Sequence, residues 1–297
     1  MKIHILPADD SYRPRRLGGA YPPHDDKWGV EEDFLAYLTK DTSLVTESPD
    51  GADWHYLAFF WTTWYANHGH TRSTRAELEN AVEKAVIDPL KTFAVCQRAS
   101  GTGIVLGIEK LFLASRKWSY GEDIPLLCKP HQRVRHAKRK YLASFVGALG
   151  NHAVRQSLAS QLGQRDDIRI LDGNRGTDFF VNTILESYVS LCPRGWGGDS
   201  FRFYESMQLG VLPMLIGNLD TRPFKEEIPW SECSLYARTV EEASEILQDT
   251  PRALLLDMGD RAAEIYEQHL TYGKWCHHVI TNLVQYSKLE SDSGKPK

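Results

Sequence analysis

The sequence has no closely paired cysteines. Its five cysteines are scattered through 297 residues, and no CxxC pair occurs. They are Cys96, Cys128, Cys192, Cys233 and Cys276. Disulfide frameworks and most structural zinc sites need cysteines at short, regular spacings, so neither is predicted. An odd number of dispersed thiols is more typical of a reducing compartment.

Long apolar runs are also missing. A membrane-spanning helix requires about 18 to 20 consecutive apolar residues, and the sequence contains no such stretch. The first residues, MKIHILPADD, hold too short an apolar run for a signal peptide or an anchor. We therefore expect a soluble, cytoplasmic protein without a membrane span.

Charge of one sign is not in excess. The formal net charge is −4, with 25% charged and 42% hydrophobic residues, as in ordinary globular proteins. Proteins that bind nucleic acid usually present a basic surface to the phosphates. The composition therefore gives no reason to expect a nucleic-acid partner.

Short apolar runs alternate with amphipathic segments along the chain. The strand-like runs before residue 130 are Lys2–Leu6, His55–Phe60, Phe93–Cys96, Ile104–Leu106, Leu111–Ala114 and Ile124–Leu127. After a basic stretch at His131–Lys140, strands and helices of about ten residues alternate more regularly. This alternation predicts parallel sheets covered by helices on both faces.

The same basic stretch predicts a domain boundary. We place an N-terminal Rossmann-like domain at residues 1–138. A C-terminal Rossmann-like domain would occupy residues 139–297 and include the helical tail. Ligands often bind at domain interfaces, so we expect the ligand in a cleft between the two domains.

The most informative segment is Tyr188–Gly217. Its pattern predicts a strand, a glycine-rich turn, a helix and a second strand. Gly195 and the glycines at 197 and 198 permit a sharp turn that a ligand can approach closely. Ser200 is a candidate N-cap for the helix. The N–H groups at that helix N-terminus would suit a phosphate.

Charged side chains flank this turn. Arg194 and Arg202 are placed to bind a diphosphate through their planar guanidinium groups. Glu205 lies one turn into the helix, where a carboxylate can accept both hydrogen bonds of a ribose diol. From these features alone, a nucleotide site and an ordinary turn with a solvated Glu205 both remain open. A second glycine pattern, at residues 101–107, has no helix after it and is interpreted as a loop.

The segment Pro193–Gly217 resembles the signature of the exostosin family of glycosyltransferases. The family pattern is a Pro-Arg-Gly turn, Ser-x-Arg-x-x-Glu, a Val-Pro-Val strand and a Pro-Phe…Trp segment. Leu212-Pro213-Met214 occupies the Val-Pro-Val place here, and Arg222-Pro-Phe and Ile228-Pro-Trp230 follow it. Weaker similarities lie upstream at residues 52–57, 123–125 and 139–147. The resemblance thus runs in order over roughly residues 50 to 235.

The resemblance implies a GT-B fold, in which two Rossmann-like domains face each other across a cleft. It also implies inverting transfer from a UDP-sugar to a hydroxyl of a growing glycan or glycolipid. Related enzymes handle xylose and glucuronic acid, which are therefore the sugars we suggest.

Carried onto this sequence, the resemblance assigns a nucleotide-sugar site in the C-terminal domain. Arg194, Ser200 and Arg202 would hold the diphosphate, next to Gly195 in the turn. Glu205 would bind the ribose, and Arg139 would lie on the opposite wall.

No metal or other cofactor is expected. The sequence contains no Asp-x-Asp pair, which is the usual metal-binding signature of the other major transferase architecture. A helix N-terminus and arginine side chains can stabilise a departing diphosphate in place of a metal. We therefore predict a transfer that needs no divalent ion.

The base that takes the acceptor proton is expected in the N-terminal domain, at the carboxyl end of a strand. His68 and His70 follow the second apolar run and have suitable chemistry. Asp25 and Asp26 follow the first strand and compete with them. For all four, a solvated loop side chain is the alternative interpretation.

Two tryptophans next to the second apolar run have two possible roles. Trp61 and Trp64 would form either an acceptor platform or buried core. A non-catalytic relative that binds a UDP-sugar or a carbohydrate remains the alternative function. Such a protein could dispense with Arg202 and Glu205, yet the sequence retains both.

Overall fold

The chain forms two compact units. The computed structural model describes residues 1–14, 29–127, 131 and 138–292. The first unit comprises Met1–Ala114, Trp118–Ile124 and Thr271–Lys297. The second unit comprises Ser115–Lys117 and Pro125–Leu270.

A parallel five-stranded sheet lies at the centre of the first unit, in the order β1-β2-β3-β4-β5. Its strands are β1 (Ile3–Ile5), β2 (Trp54–Tyr56), β3 (Thr92–Cys96), β4 (Lys110–Leu113) and β5 (Glu122–Asp123). The helices between them are α1 (Val30–Lys40), α2 (Trp61–His68) and α3 (Arg72–Ala85). In α3, Leu78, Val82 and Ala85 are buried at helical spacing, because one face of this helix packs on the core.

The second unit contains another parallel sheet, in the order β10-β9-β8-β6-β7. Its strands are β6 (Tyr141–Gly147), β7 (Ile168–Asp172), β8 (Ser187–Pro193), β9 (Leu212–Ile216) and β10 (Leu235–Ala237). The helices are α4 (Ala153–Leu162), α5 (Thr177–Leu185), α6 (Phe201–Gln208), α7 (Trp230–Cys233), α8 (Val240–Asp249) and α9 (Arg252–Ile265). The chain runs outward from β6 to β7 and then returns to β8 on the other side of β6. The switch point of this sheet therefore lies between β6 and β8.

The predicted α/β class with two parallel sheets is confirmed, but two predicted strands are absent and a third is shorter than predicted. Residues 104–106 form a loop, because Gly103 and Gly107 on either side adopt positive φ. The run at 124–127 leaves the sheet after the Ile124 N–H bonds Leu113 O, since Pro125 has no N–H to continue the ladder. The second apolar run contributes only β2 to the sheet.

The last helix, α10 (Tyr272–Asp292), belongs to the first unit. The Trp275 ring lies 5.9 Å from the Phe34 ring, and the Trp54 indole N–H donates to the Ser287 hydroxyl at 3.0 Å. The sequence-based division at residue 138 had grouped this tail with the C-terminal domain, and the structure groups it with the N-terminal sheet instead. Across the described ranges, no helix has the length and apolarity needed to cross a bilayer.

A buried carboxyl group lies at the carboxyl end of the first sheet. Glu31, in the first turn of α1, is 1% exposed. Its Oε1 accepts hydrogen bonds from the Thr62 hydroxyl at 2.7 Å and from the backbone N–H groups of Thr62 and Gln97 at 3.2 Å. Its Oε2 has no partner among the described residues. Burial raises the pKa of this carboxyl above its ordinary value, and the donors only partly oppose that shift.

This raised pKa predicts a loss of stability with rising pH. The unfolded chain releases the Glu31 proton near pH 4 to 5, whereas the folded protein still holds it, so the free energy of unfolding falls above that pH. Glu31→Gln removes the titration, so its stability relative to wild type should rise between pH 4.5 and pH 8. Urea unfolding at both pH values tests this. Glu32→Gln, at the exposed next position, should show no such trend; a pH-independent difference for Glu31→Gln would contradict the assignment.

Candidate functional site

The candidate site lies at the carboxyl ends of β6 and β8 and at the N-terminus of α6. Ligands of open parallel sheets bind where the strand order reverses, at the carboxyl ends of the strands. The turn from β8 to α6, residues 194–200, crosses this switch point. The sequence-predicted segment and the topologically favoured place therefore coincide.

Protein segments, not empty space, surround the glycines of this turn. A Cβ at Gly197 would lie 1.9 Å from the Ser115 hydroxyl oxygen, and one at Gly198 would lie 2.4 Å from Arg116 O. The Gly198 N–H also donates to Arg116 O at 2.9 Å. These two glycines are thus required for packing against residues 115–117, a role that the sequence analysis did not assign to them.

Arg155, near the start of α4, fixes the first part of the turn. Its Nε donates to Arg194 O at 3.1 Å, and its Nη1 donates to Ala148 O at 3.0 Å. A Cβ at Gly195 would lie 2.9 Å from Arg155 Nη2, so glycine lets the two segments approach. The buried guanidinium therefore ties the ends of β6 and β8 together.

The predicted N-cap position of Ser200 is confirmed, but its side chain makes no capping hydrogen bond to the described helix residues. Asp199 organises the helix start instead. Its Oδ1 accepts from the Ser200 N–H and its Oδ2 accepts from the Tyr204 hydroxyl, both at 2.7 Å. The first turn of α6 is therefore anchored by a buried carboxylate.

Arg202 is 8% exposed and lies under the end of β6. Its Nη2 donates to Val146 O, and its guanidinium carbon lies 4.4 Å from the centre of the Phe145 ring. Gly147 makes room for it, since a Cβ there would lie 2.6 Å from Nη2. Burial lowers the pKa of this guanidinium, and nearby Glu205 opposes that shift.

Arg194 follows β8 and is 5% exposed. Its backbone N–H donates to Ile216 O at 2.9 Å, and its Nη1 donates to Asn218 Oδ1. The Nε–H groups of both Arg194 and Arg202 are buried without a hydrogen-bond partner among the described residues. An unsatisfied buried donor costs about 1–3 kcal/mol, and both of these donors belong to residues that flank the turn at the switch point.

Glu205 is paired with a histidine that the sequence analysis did not select. The His131 Nε2 lies 2.7 Å from Glu205 Oε1, and the His131 backbone N–H donates to Gln208 Oε1 at 3.0 Å. Glu205 is only 2% exposed. The sequence carries no signal for this pair, because the two residues are 74 positions apart and His131 stands in the basic stretch that predicts a domain boundary.

Arg139 lies at the other end of the second sheet. It precedes β6, and its guanidinium donates to Leu185 O at 2.6 Å and to Gly210 O at 3.2 Å. Both carbonyls come before strands, whereas Arg194 and Arg202 lie where strands end. The structure therefore does not bring Arg139 together with the other predicted site residues; it satisfies backbone carbonyls instead.

The histidines predicted as bases lie near the C-terminus of α2 in the first unit. His68 is the last residue of the helix, and its Nδ1 lies 2.9 Å from Trp64 O. His70 stacks on the Tyr65 ring at 4.9 Å, and its Nδ1 lies 3.3 Å from Arg98 Nη2. Burial, followed by the charge of Arg98, lowers the pKa of His70.

Three further expectations concern the first unit. Trp61 and Trp64 are 0% and 2% exposed and belong to its hydrophobic core, so their rings are closed to an acceptor, and the platform interpretation is wrong. Asp25 and Asp26 lie outside the described residues. The pattern at 101–107 is a loop, as expected.

Comparison with known proteins identifies the same region. The family model of the exostosin GT47 domain matches residues 119–250, which include Arg194, Arg202 and Glu205. Exostosin-1 of Drosophila melanogaster is 27% identical over 158 residues, which cover 45% of this chain and 21% of that protein. The probable beta-1,4-xylosyltransferase IRX10 of Arabidopsis thaliana is 28% identical over 124 residues, 39% of this chain and 30% of that protein.

One solved structure aligns along most of the chain. The crystal structure of AviGT4, a glycosyltransferase involved in avilamycin A biosynthesis, aligns with a TM-score of 0.41 and 11% identity over 97% of this chain and 98% of that one. The chain spans between about a fifth and two fifths of the curated relatives that it matches first. Residues 119–250 therefore match the exostosin GT47 domain, and this part of the chain is similar to glycosyltransferases of the exostosin family.

Proposed function

We propose that the protein is an inverting glycosyltransferase that transfers a sugar from a UDP-sugar to a hydroxyl of a growing glycan or glycolipid. One observation carries the proposal. Two buried guanidinium groups, Arg194 and Arg202, keep unpartnered Nε–H donors beside the N-terminus of α6. A diphosphate supplies the acceptor oxygens and the negative charge that such a place lacks.

The same groups supply the chemistry of the leaving group. Charge accumulates on the diphosphate oxygens as the bond to the sugar breaks, and fixed donors in a buried site stabilise that charge. The positive end of the α6 dipole adds to the effect. We therefore propose transfer without a divalent ion.

Glu205 is proposed as the ribose ligand. A carboxylate has two oxygens that accept several hydrogen bonds, so a diol can bind beside the His131 contact or replace it. Glu205 is buried, and we therefore expect nucleotide binding to move a neighbouring side chain.

Of the two histidines, His68 is the better candidate for the base. Trp64 O can only accept, so the His68 Nδ1 carries the proton and Nε2 keeps its lone pair. Arg98 can only donate, so His70 must accept at Nδ1, which leaves the proton on its Nε2. The lowered pKa of His70 further weakens it as a proton acceptor.

An accessible groove replaces the buried tryptophans as the candidate acceptor surface. A groove of about 300 Å³ lies beside the carboxyl ends of β1 and β2. Asp9, Tyr12, Glu77 and Asn80 are among the residues that line it. Carboxylate, amide and hydroxyl groups around an aromatic ring suit the hydroxyls and apolar faces of a sugar.

Relatives guide the choice of donor sugar. Similar proteins are named as a probable beta-1,4-xylosyltransferase and probable glucuronosyltransferases. We therefore propose UDP-xylose and UDP-glucuronic acid as the first donors to test.

Calorimetric titration with UDP, GDP and NAD in EDTA tests the donor site. We expect selective binding of UDP, and at least tenfold weaker binding by Glu205→Ala, since about 1.4 kcal/mol corresponds to each tenfold change in affinity. Glu205→Gln keeps the shape of the side chain and separates lost charge from lost packing. Glu264→Ala, on the exposed face of α9, is the matched control and should bind UDP normally.

A turnover assay distinguishes a glycosyltransferase from a non-catalytic binding protein. UDP release from either donor, with inverted configuration in the NMR spectrum of the product, supports the transferase. Selective UDP binding without release, across donors and acceptors, would favour a binding protein. Absence of UDP binding even with magnesium would contradict the donor site itself.

A further inference from the structure

One large apolar side chain is exposed at the centre of the candidate site. Trp196 is 69% exposed, although every residue at 189–195 and 197–200 is buried. Most of its indole ring, one of the largest apolar surfaces that a side chain can offer, is therefore in contact with water. The turn therefore presents one aromatic ring and hides its other side chains.

The exposure of Trp196 does not come from a loosely held turn. The Arg194 N–H bonds Ile216 O and the Gly198 N–H bonds Arg116 O, both at 2.9 Å. The Arg155 Nε bonds Arg194 O between them at 3.1 Å. The backbone is thus fixed on both sides of Trp196, which sets the direction of its Cα–Cβ bond in advance of any ligand.

The order of the neighbouring groups indicates which part of a ligand meets the ring. If Glu205 binds the ribose and the N-terminus of α6 binds the diphosphate, the nucleoside lies toward the later residues of the helix. Trp196 precedes the N-cap Ser200 by four residues, in the turn from β8, whereas Glu205 follows Ser200 by five residues. The sugar is attached at the end of the diphosphate that is remote from the ribose, so it would lie toward the turn rather than toward the later residues of the helix.

We propose that Trp196 is a positioning residue whose indole face stacks against the donor sugar of the nucleotide-sugar. The C–H groups of one pyranose face are apolar and suit an aromatic face, whereas the sugar hydroxyls remain available to polar groups. The inference rests on the proposed function, because it assumes a nucleotide-sugar at this site.

Paired titrations of UDP and UDP-sugars test the inference. Wild type, Trp196→Ala and Trp196→Phe are each titrated with UDP, UDP-xylose, UDP-glucuronic acid and UDP-glucose. We expect Trp196→Ala to bind UDP within about twofold of wild type and to bind the preferred UDP-sugar about tenfold more weakly, which is about 1.4 kcal/mol. Trp196→Phe should recover most of that affinity. Tyr120→Ala, at a 52% exposed aromatic in the first unit, is the control and should change neither ligand.

The outcomes separate this inference from the proposed function. If wild type fails to bind UDP, the proposed function fails first. If UDP binds and Trp196→Ala weakens UDP and UDP-sugar equally, Trp196 contacts the nucleotide or supports the turn, and the inference is wrong. It is also wrong if wild type binds no UDP-sugar more tightly than UDP, or if Trp196→Ala leaves the UDP-sugar affinity unchanged.

Discussion

Arg202→Lys should reduce UDP release from the donor by roughly 10²- to 10³-fold, the usual effect of removing one fixed donor to a developing charge. The variant keeps a positive charge but loses the planar fork that donates to Val146 O and lies over the Phe145 ring. A lysine ammonium in this place would also be desolvated without the same partners. Steady-state UDP release measures the loss, and calorimetry with UDP should show at least tenfold weaker binding.

A loss of activity caused by misfolding of Arg202→Lys must be distinguished from a loss caused by the missing guanidinium group. Arg165→Lys is the matched control, since Arg165 lies in the same unit but pairs with Asp167 on the surface, with Nε at 3.0 Å from Oδ1. It should leave UDP release unchanged. Near-ultraviolet circular dichroism should show intact tertiary packing in both variants. Normal UDP binding and release by Arg202→Lys would exclude Arg202 from the donor site.

Local pattern in the sequence was sufficient for most of the second unit. β6 to β9 and the helices between them fall where apolar runs alternate with amphipathic segments, because β6, β8 and β9 are almost wholly buried whereas α4 and α5 bury only part of their surface. Turn chemistry is equally local. Gly210 adopts a φ of 66° just after α6, the backbone conformation in which glycine commonly ends a helix.

Packing between distant segments could not be predicted. The pairing of His131 with Glu205 joins two residues 74 positions apart, and no spacing rule connects them. The tail helix α10 has an amphipathic pattern that would fit either sheet. Its packing on the first sheet is shown by aromatic contacts with Phe34 and Trp54, which the pattern does not reveal. Burial of Trp61 and Trp64 likewise depends on core residues from several elements.

The glycines of the turn from β8 to α6 can be explained either by ligand approach or by packing. From the sequence, glycine next to a helix start suggests close approach of a ligand. In the structure, Gly197 and Gly198 admit the backbone at residues 115–117, and Gly147 admits the Arg202 side chain. These glycines therefore serve the packing of the turn, and the proposed ligand contacts fall to the arginines.

Gly197→Ala distinguishes these two roles. A Cβ at this position would lie 1.9 Å from the Ser115 hydroxyl oxygen and 2.5 Å from Ser115 O, and Ser115 is buried. Overpacking of this kind costs about 1–3 kcal/mol, so we expect both a lower free energy of unfolding and a loss of UDP binding as the turn shifts. Urea unfolding and calorimetry measure the two effects. If the glycine served ligand approach alone, the variant would lose UDP binding at unchanged stability.

Two further variants sharpen the result. Gly150→Ala is the control, since a Cβ there meets no atom within 4 Å, and it should change neither quantity. Ser115→Ala added to Gly197→Ala removes the hydroxyl but leaves Ser115 O at 2.5 Å from the new Cβ. We therefore expect only partial recovery of stability and of UDP binding in the double variant. Full recovery in the double variant would show that the Ser115 hydroxyl alone clashes with the new Cβ. Unchanged stability in Gly197→Ala would show that residues 115–117 do not support the turn.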